Sequence, residues 1–243
     1  MQIEIIQHES YEAPGEYLLW AKRNHHEVEI IKLYQGDTLP KDVTSDFLLV
    51  LGGPQSPSTT KEECPYFDSE KEISLIQKYE KEKKIVIGVC LGAQLMGEAF
   101  GGRFEHSPYK EVGLTKMELT KEGREDINFS SFPSTFLSGS WHSDMPGLAK
   151  DSVVLAKSDG CPREIIRYGE YAYGFQCHLE FNPLVVKGLI QNNPSDLIQN
   201  KENPYISSPE EMLRFSYASM NGYLDSFLDS ITKRYQSLKL RNN

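Results

Sequence analysis

The sequence predicts an α/β protein built on a doubly wound, mostly parallel sheet with helices on both faces. Three observations lead there. Up to about residue 100, short apolar runs alternate with amphipathic stretches of helical period. One run, Phe47-Leu48-Leu49-Val50-Leu51, is apolar throughout, as a strand covered on both faces must be. The runs end in glycine-rich turns at Gly52-Gly53-Pro54 and around Gly88 and Gly92, at the strand ends where such sheets bind ligands.

Each element has its own signal. Ile3-Glu4-Ile5-Ile6 opens as a strand. A helix is expected from Pro14 to Asn24, with proline near its start and Tyr17, Leu18 and Ala21 on one side. Val28 to Ile31 is a second strand, and the polar stretch from Asp37 to Thr44 a loop. After the third strand, residues 67–83 form a charged amphipathic helix with Ile73, Ile76 and Tyr79 inward. Ile85 to Ile87 is a buried strand, and Ala93 to Phe100 a helix stopped by Gly101-Gly102.

Beyond Gly102 the texture changes. Gly113 to Leu119 and Val153 to Ala156 are short strands broken by Gly, Pro and Ser. They add antiparallel strands to the sheet or form a small antiparallel side sheet. Residues 165–168 and 172–177 read as a hairpin, and Asn182-Pro183 caps a helix running to Ile190. Residues 192–207 read as loop. Ser208-Pro209-Glu210-Glu211 is a capping box opening a helical C-terminal extension, which Gly222 would break in two. Its apolar stripe of Phe215, Tyr223, Phe227, Ile231, Tyr235 and Leu238 docks on the chain's own core or on a second copy, the former being favoured. The division expected is 1–190 and 191–243.

The centre of the chain is Gly88-Val89-Cys90-Leu91-Gly92-Ala93-Gln94. A strand turns directly into a helix with a cysteine at the turn, the layout of a nucleophile elbow. Flanking glycines let the backbone crowd there without Cβ clashes. The helix N-terminus favours a thiolate, and its free N–H groups, chiefly that of Leu91, can face an oxyanion. Far downstream, His178 and Glu180 stand two apart at a strand end, so the strand period points both one way. A histidine beside Cys90 can take its proton, and a carboxylate can orient the histidine.

With these residues the sequence resembles the class I, triad-type glutamine amidotransferases. The marks are Gly52-Gly53-Pro54, Gly88 to Gln94, and Phe175-Gln176-Cys177-His178-Leu179-Glu180. Lys110-Glu111-Val112-Gly113 and Trp141-His142-Ser143-Asp144 resemble the stand-alone subgroup similar to the amidotransferase half of GMP synthase. The resemblance covers residues 1–190 and implies a flavodoxin-like amidotransferase fold. It makes Cys90 the nucleophile, His178 the general base and acid, and Glu180 its orienting carboxylate. Gly53 and Leu91 would supply oxyanion N–H groups. Gly52, Gln94, Trp141, His142, Ser143 and Asp144 would line the substrate site and hold its α-amino and carboxylate ends. Leu179 stands where many members have proline, and Ala93 where many have His or Met, at positions that carry no chemistry. His142 has no carboxylate two residues on, which favours a wall or structural role over that of a rival base. His8, His25, His26 and His106 are expected to be solvated, and Cys177 to pack.

Composition bounds the rest. A net charge of −9 argues against a nucleic-acid partner. No apolar run is long enough to span a membrane, and Met1-Gln2-Ile3-Glu4 is unlike a signal peptide, so the cytoplasm is expected. Cys64, Cys90, Cys161 and Cys177 lack metal-ligand spacing, so no metal or cofactor is expected. No ATP-binding loop is present with which to activate an acceptor. The substrate is glutamine or another γ-glutamyl compound. A homodimer and a separate synthetase partner stay open, as do a γ-glutamyl hydrolase and a non-catalytic regulatory domain as readings. The order Cys, then His-x-Glu, disfavours an α/β-hydrolase, which places its acid before the histidine.

Overall fold

A computed structural model of the chain describes residues 1–198 and 204–241. Its parallel core is β1 (Gln2–Gln7), β2 (Glu27–Lys32), β3 (Phe47–Val50), β4 (Ile85–Val89) and β9 (Ala172–Phe175), in the spatial order β2-β1-β3-β4-β9. The antiparallel strands β8 (Ile165–Arg167), β7 (Val153–Lys157) and β5 (Glu105–Leu119) continue the same sheet. On β5 rides β6 (Thr135–Met145), with a register shift between His106 and Glu111.

Strand alternation sorts the core into two layers. Ile3 and Ile5 of β1 and Leu49 of β3 face one side. There they meet Tyr17 and Trp20 of α1 (Gly15–Arg23) and Leu224, Phe227 and Ile231 of α7 (Ala218–Arg241). Ile6, Leu48 and Val50 face the other side, against Leu75, Ile76 and Tyr79 of α2 (Ser69–Lys81) and Leu95 and Met96 of α3 (Leu91–Ala99). On α2 the inward position is Leu75, with Ile73 only half-buried, a small rotation of the expected stripe.

The C-terminal extension docks on the chain's own core. Phe227 packs edge-on against Tyr173 and Phe175, the Trp20 indole donates to Asp229 at 2.8 Å, and Arg23 pairs with Asp225 at 2.6 Å. Leu238 at the far end of the stripe stays exposed. Gly222 does not interrupt α7. The break lies before it, between α6 (Pro209–Arg214), which opens on the expected capping box, and Ala218. The stretch 192–207 is more ordered than a loop: a 3₁₀ turn spans Pro194–Leu197, and Tyr205–Ile206 (β10) pairs in parallel with β5. Residues 199–203 of that stretch lie outside the described residues.

Candidate active site

The sheet's central strands bring the predicted residues together. β4 delivers Cys90 and its neighbour β9 leads to His178, while the turn after β3 carries Gly52 and Gly53. Cys90 stands between strand and helix with φ 51°, a left-handed conformation that a side chain adopts only under constraint. The glycines around it are required by space. A Cβ on Gly88 would lie 2.3 Å from the Gly92 carbonyl oxygen, and one on Gly92 2.0 Å from that of Val50. The cysteine Sγ lies 3.7 Å from the Trp141 carbonyl. The N–H groups of Gly53 and Leu91 meet no acceptor among the described residues, the latter because the first residue of a helix has none within it.

His178 and Glu180 come together, though not by strand period. β9 ends at Phe175; His178 follows in an antiparallel bridge to Gly139 of β6, and Glu180 sits on the turn after it. What joins them is a hydrogen bond of 2.6 Å from His178 Nδ1 to Glu180 Oε1. Phe181 stacks on the imidazole at 4.4 Å. Nε2 has no hydrogen-bond partner among the described residues, while Cys90 is near enough to help raise the pKa of the ring. Burial disfavours the imidazolium, but the charge and hydrogen bond of Glu180 outweigh it together with Cys90, so the His178 pKa stands well above its ordinary value.

A cavity of about 360 Å³ opens in front of Cys90. Gln94, Trp141, His142, Ser143 and Asp144 all line it. Gln94 donates to Gln176 at 3.2 Å, and Asp144 is bound by His106 at 2.6 Å, so His106 has a partner although it is exposed. His142 is buried, with Nε2 3.5 Å from both Glu111 and Glu164. Burial lowers its pKa to about 4 against the pull of Glu111, leaving a neutral imidazole. Burial, then the charge and hydrogen bond of Glu164, push Glu111 up to about 8, and burial raises Glu164 as well. Among the described residues these three are the set whose ligand atoms, all within 4.8 Å of one another, could hold a metal ion.

Other residues were not foreseen. His8 is fully buried, not solvated: it lies past the end of β1 between the Gly52 carbonyl at 3.0 Å and Glu72 at 2.9 Å. It thereby braces the Gly52-Gly53 turn. His26 is half-buried and packs edge-on against Trp20. Asp196, from the C-terminal extension, accepts from Lys110 at 2.5 Å and from the Trp141 indole at 2.9 Å at the cavity rim. Glu12, in the loop after β1, also lines the cavity. No spacing in the sequence marks either acid. Cys177 is buried in the core, as expected.

Comparison with known proteins gives the family. The sequence matches the glutamine amidotransferase class-I family over residues 19–193. It is 44% identical over 233 residues to YfeJ of Salmonella typhimurium, described as glutamine amidotransferase-like, covering 96% of this chain and 98% of that one. It is 31% identical over 108 residues to a glutamine-hydrolyzing GMP synthase chain of Pyrococcus abyssi, covering 44% of this chain and 56% of the relative. Among solved structures, that of SMU.1228c superposes with a TM-score of 0.93 at 50% identity, covering 96% of this chain and all of the other. The chain belongs to the class-I glutamine amidotransferase family.

Proposed function

We propose that the chain hydrolyses the side-chain amide of glutamine to glutamate and ammonia through a γ-glutamyl thioester on Cys90. The observation that carries this reading is the strained elbow at Cys90, placed against the hydrogen-bonded pair His178–Glu180. In the first half-reaction the Cys90 sulfur attacks the carboxamide carbon. The oxygen that becomes negative is met by the N–H groups of Gly53 and Leu91, both without another acceptor. His178, holding the thiol proton, gives it to the departing nitrogen, and ammonia leaves as the C–N bond breaks. In the second half, His178 takes a proton from water as the water attacks the thioester. Collapse releases glutamate, and the proton returns to sulfur. Glu180 fixes the proton on Nδ1 and stabilises the imidazolium.

The reading extends to a hydrolase that works alone. Asp196 ties the C-terminal extension across the cavity rim through Lys110 and Trp141, so that this chain's own residues cover part of the mouth a partner would need. The similarity to a GMP synthase chain supports the other reading, delivery to a partner. The test is glutamate release by the purified chain from glutamine, γ-glutamyl amides and γ-glutamyl dipeptides. Turnover is expected from the isolated chain and none from folded Cys90→Ala. Retained turnover by that variant would remove Cys90 from the mechanism. Negligible turnover on every substrate, with Cys90 intact and alkylatable, would favour the partner-dependent reading.

A further inference from the structure

An amino-acid substrate brings two charges besides its reacting amide, and the cavity must answer both. Its acidic wall residues are Glu12, Asp144 and Asp196. Two of them are already engaged, Asp144 with His106 and Asp196 with Lys110 and Trp141. Among the described residues the Glu12 carboxylate accepts no hydrogen bond and forms no ion pair. It is also the one beside the nucleophile. A Cβ on Gly52 would lie 2.9 Å from Glu12 Oε2 and 3.4 Å from Cys90 Cβ, so carboxylate and cysteine flank the same glycine.

The loop holds Glu12 there. Its N–H donates to the Glu9 carbonyl at 3.2 Å, and four residues on the Glu16 N–H donates to the Glu180 carbonyl at 3.0 Å, pinning the loop to the triad. Burial raises the Glu12 pKa to about 7, opposed by His178 and His8 and helped by Glu180 and Glu9. The two histidines offset burial only in part, so the carboxylate gains from a further cation at hydrogen-bonding distance. Lys110, the cationic side chain on the wall, is held by Asp196 instead. The α-ammonium of glutamine, on the carbon three bonds from the reacting amide carbon, would supply the missing charge.

We infer that Glu12 is the subsite for the α-ammonium group of the γ-glutamyl substrate, and so selects substrates with a free α-amine. This rests on the hydrolase reading above. It also relieves Gln94 and the Trp141–Asp144 segment of the amine, since their polar groups include no unengaged acid.

The experiment compares L-glutamine with glutaramate, which has the same amide and carboxylate but no α-amine. The wild-type chain is expected to prefer L-glutamine by about 100-fold or more in kcat/KM, the usual worth of a buried charge pair. Glu12→Gln is expected to lose most of that preference through a higher KM for L-glutamine, with kcat and the glutaramate rate changed only a few-fold. Equal wild-type rates on the two substrates would overturn the inference whatever the variant does. So would Glu12→Gln lowering kcat on both alike, which would put Glu12 in the chemistry. Calorimetric binding of L-glutamate and glutarate to Cys90→Ser separates this from failure of the hydrolase reading. Preference for L-glutamate that vanishes with Glu12→Gln supports the subsite even without turnover, and no preference contradicts it.

Discussion

Two buried histidines, His178 and His142, stand near the same cysteine and beside glutamates, yet they end in opposite states. His178 has a single carboxylate at hydrogen-bonding distance, 2.6 Å, and its pKa rises well above the ordinary value. His142 has two carboxylates, each at 3.5 Å, and its pKa falls to about 4. Proximity of acid is therefore not what decides. Against burial, the charge of Glu180 reaches its histidine through a direct bond and, together with Cys90, prevails. Glu111 and Glu164 are buried against each other. Burial raises both carboxyls, and the charge of Glu164 raises Glu111 further, so that the pair holds a proton. Burial of His142 outweighs the pull of Glu111, and the charge of His178 opposes a second cation beside it. One arrangement is suited to moving a proton, the other to locking the β5–β6 ribbon behind the cavity.

The contrast can be broken by mutation, most severely at His178. Removing it in His178→Ala should lower kcat/KM for glutamine by about two to four decades, the usual worth of a positioned acid–base with its nucleophile activation. A loss below about tenfold would make it as dispensable as a wall residue. Glu180→Gln keeps the hydrogen-bonding shape and removes the charge. It should cost less than His178→Ala, because in the proposed reaction Glu180 orients and moves no proton, and steady-state rates at several pH values would show it. If the glutamine variant proved worse than loss of the histidine, the roles assigned to the pair would be reversed.

The smallest effect belongs to the other cluster and is read in stability. Glu111 has an ordinary value of 4.5 and a folded one of about 8. Between those values the folded chain holds a proton that the unfolded chain has released. That stabilisation is complete below pH 4.5 and is lost as pH rises through 8. Glu164→Gln removes one of the two acids and lets an amide donate to Glu111. It should flatten the profile and gain about 1–2 kcal/mol over the wild type near pH ~9. Urea midpoints across roughly pH 6–9 measure it, and parallel profiles for the two proteins would show that no proton is shared.

Much of this was legible in the residues. Gly88 and Gly92 flank Cys90 because only bare backbone fits against Gly92 and Val50, and local crowding of that kind leaves a short pattern. The pair His178 and Glu180 was legible as well, although a single bridge to β6 and the turn after it, not a continuous strand, hold it. What was not legible is long-range. Glu111 and Glu164 meet only because β5, β7 and β8 fold back on one another. His8 is solvated or buried according to where α2 places Glu72. Asp196 reaches Lys110 from a segment without periodicity, and Glu12 lies in a loop whose course is set by contact with Glu180. Such residues follow from topology, which no spacing along the chain encodes.

The central claim is covalent: glutamate leaves by way of the Cys90 sulfur. It is tested most directly by quenching the working enzyme in acid and mapping its peptides by mass spectrometry. The account predicts a γ-glutamyl adduct, labile to hydroxylamine, on the peptide carrying Cys90 and on none carrying Cys64, Cys161 or Cys177, none of which lines the cavity. Steady glutamate release with no adduct on Cys90, or with the adduct on another residue, would contradict it.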